Sequence, residues 1–135
     1  MKILIMGLSG AGKTTLAEKL HSTLDNCAWF NADTVRKMAG DWDFSAEGRI
    51  RQAQRMRCYA DFESGNGRVA ICDFIAPTQS ARDSFAADIT IWMDTIQSCQ
   101  YEDTNQIFEK PTNATLRITD WEYELNEIVR MINEF

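Results

Sequence analysis

Apolar and polar residues along the chain fall into short blocks that change period. Lys2–Met6 is a compact aliphatic run ending at Gly7, and beyond a glycine-rich loop Leu16, Leu20 and Leu24 recur at helical spacing. The pattern predicts strand, loop, helix. Cys27–Asn31 is a second short apolar run, and Gly40, Asp41 and Asp43 mark a turn before a helical stretch from about Ser45 to Phe62, with Ala53, Met56 and Ala60 on its inward face. Ser64–Gly67 interrupts the chain. Val69–Ile75 then reads as a strand buried on both faces, ended by Pro77, and Ile89–Met93 as another. Gln97–Thr115 is polar and irregular, and Leu116–Ile118 is a weak strand. Thr119 and Glu122 have capping-box spacing, which predicts a last helix with Trp121, Leu125, Ile128, Val129 and Ile132 on one face.

Strands alternating with helices imply parallel pairing through right-handed crossovers. The expected fold is a three-layer α/β/α sandwich around a parallel sheet. With 135 residues and no shift in composition, the chain reads as one domain, residues 1–135.

Composition narrows the partners. Fourteen Lys and Arg against 20 Asp and Glu give a net charge of -6, the wrong sign for gripping a nucleic-acid backbone. No apolar run approaches a membrane span and no signal-peptide pattern precedes the first loop, so a cytoplasmic protein without membrane partners is expected. The four cysteines are widely spaced and read as buried, reduced thiols rather than a zinc site or disulfide framework. His21, the lone histidine, reads as a packing or surface residue.

The chemistry begins at Gly7–Thr14, GLSGAGKT, which matches G-x-x-x-x-G-K-[ST], the P-loop. Glycines let backbone amides turn around a phosphate chain, Lys13 places a cation on the terminal phosphates, and Thr14 offers a hydroxyl to magnesium. The following helix points its positive end at the same anion. The expected nucleotide-binding set is Gly7, Ser9, Gly10, Ala11, Gly12, Lys13, Thr14 and Thr15, which makes the fold a P-loop NTPase fold and ATP with Mg2+ the expected cofactors. No N-K-x-D guanine signature is present, and a small-molecule kinase fits better than a motor or switch GTPase.

Further segments resemble the adenylylsulfate kinase family, in order from Met1 to about Thr119. Asn31–Arg36 resembles D-G-D-N-V-R, and Phe44-Ser45 with Arg49 and Gln52 resembles F-S-x-x-D-R-x-x-N. Phe74–Pro77 with Arg82 resembles F-I-S-P followed by arginine, Ile91–Thr95 a V-x-V-D-T strand end, and Phe108–Pro111 Y-E-A-P. The resemblance implies ATP-dependent phosphorylation of the 3′-hydroxyl of adenosine 5′-phosphosulfate. It assigns catalysis to Lys13 and Asp33, and acceptor binding to Asp33, Arg36, Phe44, Arg49, Gln52, Ile75 and Arg82. The bland alternatives are an N-cap for Asp33, surface arginines, and a core aromatic for Phe44. The Arg51, Arg55 and Arg57 stripe reads as a solvated helix face or an anion site.

Four departures from the family pattern stand out. Asn31 replaces the first acid of D-G-D, Gly48 the acid before Arg49, and Ala76 the serine before proline. Asp73, at a strand end, either holds magnesium with Thr14 in compensation or caps backbone amides. Ile96–Glu109 replaces a longer basic lid, contains no Lys or Arg, and carries Glu102 and Asp103. These departures keep two alternatives open: a kinase of another small hydroxyl-bearing metabolite, and a nucleotide-binding module with reduced catalysis. The expected partner is a small-molecule nucleotide substrate, with a homodimer as an option.

Overall fold

The computed structural model describes residues 1–135. Five parallel strands, β1 (Lys2–Met6), β2 (Cys27–Asn31), β3 (Val69–Asp73), β4 (Ile89–Met93) and β5 (Leu116–Ile118), lie in the order β2-β3-β1-β4-β5. The helices are α1 (Lys13–Thr23), α2 (Ala32–Ala39), α3 (Ala46–Gly65), α4 (Gln79–Phe85), α5 (Glu102–Ile107) and α6 (Leu125–Glu134).

Alternation along the strands sorts the core into two layers. Ile3, Ile5, Ile71 and Ile91 face Leu16 and Leu20 of α1 and Ile128 and Ile132 of α6. Leu4, Met6, Ala70 and Cys72 face Val35 of α2, Met56 and Ala60 of α3 and Phe85 of α4. The sheet is therefore apolar on both faces, as an all-parallel sheet covered by crossover helices must be. No helix is long and apolar enough to cross a membrane.

Strands β1, β2, β4 and β5 coincide with the sequence expectation, whereas β3 stops at Asp73. Two helices were not foreseen, and α2 was anticipated only in the alternative that Asp33 caps a helix. α4 is capped by Thr78, whose hydroxyl accepts from the Ala81 amide at 3.1 Å, and α5 lies inside the polar stretch after β4. The expected capping box at Thr119 does not form. The Asp120 carboxylate accepts from the Glu122 amide at 3.0 Å, a local turn that competes with helix, and α6 starts only at Leu125. Trp121 is consequently an exposed loop residue rather than part of the helical face.

Candidate active site

The loop between β1 and α1 owes its shape to three glycines with positive φ, Gly7, Gly10 and Gly12. At Gly7 a Cβ would stand 2.6 Å from the Met93 carbonyl oxygen, so the loop can lie against β4 only without a side chain there. Thr95 adds a tether by donating to the Ala11 carbonyl at 2.7 Å. Gly12 caps α1, whose first turn contains no acid to oppose its positive end.

Lys13 donates its ammonium to the Leu8 carbonyl at 2.8 Å. Burial lowers its pKa to about 8, while the nearby Asp73 and Asp33 carboxylates act in the opposite direction. The Thr14 hydroxyl donates to Asp73 Oδ2 at 2.8 Å. Asp73 ends β3 and is buried; it also accepts from Trp29 Nε1 at 2.7 Å and Asn31 Nδ2 at 3.0 Å. Burial raises the Asp73 pKa against those hydrogen bonds and the Lys13 charge. Its partners are side chains, so a cap on backbone amides is not its role.

These groups open onto a cavity of about 620 Å³. Ser9, Gly10, Lys13 and Thr14 of the P-loop line it, with Asp73 beside Thr14. Asp33, Arg36, Phe44, Arg49, Gln52 and Ile75 line the same cavity, and the Asp33 carboxylate is near enough to act on Lys13. The N-cap alternative for Asp33 is corrected, because Asn31 performs that task. Its Oδ1 accepts from the Thr34 amide at 3.0 Å, leaving the Asp33 carboxylate exposed in the first turn of α2. Phe44 is 50% exposed, which removes the reading as a core aromatic, and the Arg36 guanidinium lies 4.3 Å from its ring centre.

The arginines divide by what they already hold. Arg36 is buried and donates to the Asp41 and Asp43 carbonyls at 3.0 and 3.2 Å. Arg49 donates to the Phe44 carbonyl and, from one nitrogen, to Asp103 Oδ2 and Thr104 Oγ1 on α5 at 3.2 Å each. Gln52, also buried, donates to the Ala32 carbonyl and accepts from Arg55. Arg82 departs from its assignment as an acceptor-binding residue. It lies off the cavity wall, buried, donating to the carbonyls of Ala76, Pro77 and Glu109, and so ties the segment before α4 to that after α5. Gly7, Ala11, Gly12 and Thr15 shape the loop or flank it without lining this cavity.

Other expectations are also revised. Arg51 and Arg55 both pair with Asp41, and Arg57 binds Asp61 and the Ser84 carbonyl, so the stripe ties α3 to its surroundings. Cys27 and Cys72 are buried thiols, but Cys58 is exposed and Cys99 half-buried. Gly48 has a steric reason to be glycine, since a Cβ there would meet the Asp43 carbonyl oxygen at 2.2 Å. Sequence reasoning gave Trp29 no role at the site, and it marked Thr95 as the end of a family-like strand and Asp103 and Thr104 as part of the shortened lid without reading what they hold. The only signal for Trp29 was its place two residues before Asn31 on the same strand face.

The residues fit both expected cofactors. Glycine-shaped backbone, the acid-free start of α1 and Lys13 suit a polyphosphate. Thr14, Asp73 and Asp33 offer hard oxygen donors, and the molecule contains no cluster of three His, Cys, Asp or Glu that would cage an ion by itself. That is how magnesium is commonly held, by one or two protein oxygens together with substrate phosphates.

Fold and site together define a P-loop phosphotransferase. The adenylylsulphate kinase family model matches residues 1–126, and the chain belongs to that family. A probable adenylyl-sulfate kinase of Pseudomonas aeruginosa is 27% identical over 93% of this chain and 72% of its own length. A cytidine diphosphoramidate kinase of Campylobacter jejuni is 30% identical over 55% of this chain and 46% of its own. Among solved structures, the hexameric APS kinase from Thiobacillus denitrificans superposes with a TM-score of 0.77 at 26% identity, over 98% of this chain and 28% of that one. ATP is the phosphate donor of the family.

Proposed function

We propose that the chain transfers the γ-phosphate of ATP to the 3′-hydroxyl of adenosine 5′-phosphosulfate. The observation that carries this reading is that one cavity is lined both by Lys13 and Thr14 of the P-loop and by Asp33, Arg36, Phe44 and Arg49. A donor phosphate on the P-loop and an acceptor among the second group would share this cavity.

In this reading Lys13 and the loop amides hold the β- and γ-phosphates in line with the acceptor. Magnesium, bound with the nucleotide, supplies charge neutralisation on the same phosphates, and Thr14 and Asp73 are the residues that would hold it. Asp33 orients the acceptor hydroxyl and takes its proton as the new P–O bond forms and the bond to the β-phosphate oxygen breaks, leaving ADP. Arg36 and Arg49 bear on the phosphosulfate, and Phe44 presents a ring face to the adenine. A cytoplasmic location and a homodimer go with this reading.

A second reading is transfer to another small hydroxyl-bearing metabolite. It is favoured by the contacts of Arg49 with Asp103 and Thr104, which occupy a cation otherwise free for the acceptor, and by a segment after β4 that brings no Lys or Arg to the site. The likeness to a cytidine diphosphoramidate kinase points the same way.

An ADP-release assay with adenosine 5′-phosphosulfate beside a panel of nucleosides, nucleotides and sugars decides between the two. Acceptor-dependent release is expected with adenosine 5′-phosphosulfate, falling by about 100-fold or more in Lys13→Ala, on the scale of losing one preorganised charge contact. Release with a different acceptor alone establishes the second reading. Undiminished release by folded Lys13→Ala overturns both.

A further inference from the structure

Trp29 and Asn31 stand two residues apart on the edge strand β2, so both point to the sheet face covered by α1. In register beside them run Ile71 and Asp73 of β3. This places two neutral donors against one buried carboxylate, and the two oxygens are divided unequally. Oδ2 accepts from Thr14 and Asn31, whereas Oδ1 accepts from the Trp29 indole at 2.7 Å. An indole N–H can only donate, so its preference cannot be reversed by a rotating proton. With Oδ1 committed to it, rotation of the carboxylate about its Cβ–Cγ bond is blocked and Oδ2 faces Thr14.

The indole is itself held in place. Its ring packs against the core between the sheet and α1 and lies 5.9 Å from the His21 ring of α1. Replacing it by an apolar ring would leave Oδ1 buried without its donor and free the carboxylate to turn.

We propose that Trp29 is a positioning residue for magnesium-dependent nucleotide binding, setting through Asp73 the orientation of the Thr14 hydroxyl. The inference rests on the assignment of Thr14 and Asp73 to the metal under the proposed function. It requires no contact between Trp29 and nucleotide or metal. Its consequence is a split: the grip of the P-loop on phosphate is independent of Trp29, and the gain in affinity from magnesium is not.

The test is calorimetric titration of ATP into the full chain, in EDTA and in saturating Mg2+. Wild type is expected to bind ATP more tightly with magnesium. Trp29→Phe is expected to keep its EDTA affinity within about twofold and to lose about tenfold of its affinity in magnesium, the scale of one hydrogen bond to a charged group. A merely structural indole would weaken both arms alike, and that result, or two unchanged arms, overturns the inference. A wild type indifferent to magnesium would instead overturn the assignment of Thr14 and Asp73, and the inference with it. If Trp29→Phe does not fold, the indole 15N–1H resonance of Trp29 in the native protein takes its place. It is expected to move when Mg2+ is added to the ATP complex, and a resonance unmoved by Mg2+ overturns the inference.

Discussion

Lys13 combines a half-buried ammonium with a pKa brought down to about 8 by that burial. Between pH 8 and the ordinary lysine value, the folded chain holds fewer protons on this group than the unfolded one. Its contribution to stability therefore rises with pH across that window and is least favourable below it, where a charged group is buried at a cost. A polyphosphate against Nζ reverses the preference by favouring the charged form. Binding of ATP at pH 9 is thus expected to take up about one proton, measurable by calorimetry in two buffers of different ionisation enthalpy. Uptake near zero would show that phosphate does not reach Lys13. At this scale the P-loop was legible because each residue acts through its own backbone or terminal group. The task of Asn31 was not, since capping α2 and donating to Asp73 depend on where β2 ends beside β3.

Elements decide which arginines serve the site. Arg36 emerges from α2, gives one guanidinium nitrogen to the carbonyls of the turn that follows it and still lines the cavity, while Arg82 leaves α4 to bind carbonyls before that helix and after α5. Arg49 reaches from α3 to α5 and is the one whose partners include an exposed acid. Arg82→Ala is expected to cost about 1–3 kcal/mol of stability, the scale of buried carbonyls left without donors, with acceptor KM unchanged. Arg49→Ala is expected to do the converse, raising acceptor KM with little loss of stability. Denaturant unfolding and steady-state kinetics on both variants check the pair, and a raised acceptor KM in Arg82→Ala would restore that residue to the acceptor site. Sequence alone treated the arginines alike because spacing says that they share a neighbourhood, not which carbonyl each one meets. α4 and α5, of seven and six residues, are also too short for a helical period to declare itself.

Across the whole molecule, the site forms at the carboxyl ends of β1, β2 and β3, near the point where successive crossovers diverge to the two sides of β1. Ligands of open α/β sheets collect at such a switch point because loops there part and helix N-termini converge. ATP should therefore bind the folded chain and not the unfolded one. At a concentration about 100 times its Kd it is expected to add about 2.7 kcal/mol to stability, seen as a rise in Tm that grows with ATP concentration. The absence of any rise in the wild type would overturn nucleotide binding at this site.

Local order and period carried the strands, α1, α3 and the phosphate loop, because strand burial, helix faces and glycine turns are properties of residues close in the chain. Gly7–Thr14 needs only its own backbone to become an anion cradle, and Val69–Asp73 only its apolar run to become an interior strand. The tertiary structure decided what depends on residues far apart. Trp29, Thr14 and Asp73 meet because β2 pairs with β3 and α1 packs over them, Arg49 meets Asp103 because α5 folds back on α3, and Trp121 rests beside Gly12 because a turn at Asp120 delays α6. Each of those contacts joins groups that only chain crossover brings within hydrogen-bonding or van der Waals distance, and no spacing in the sequence encodes such a distance.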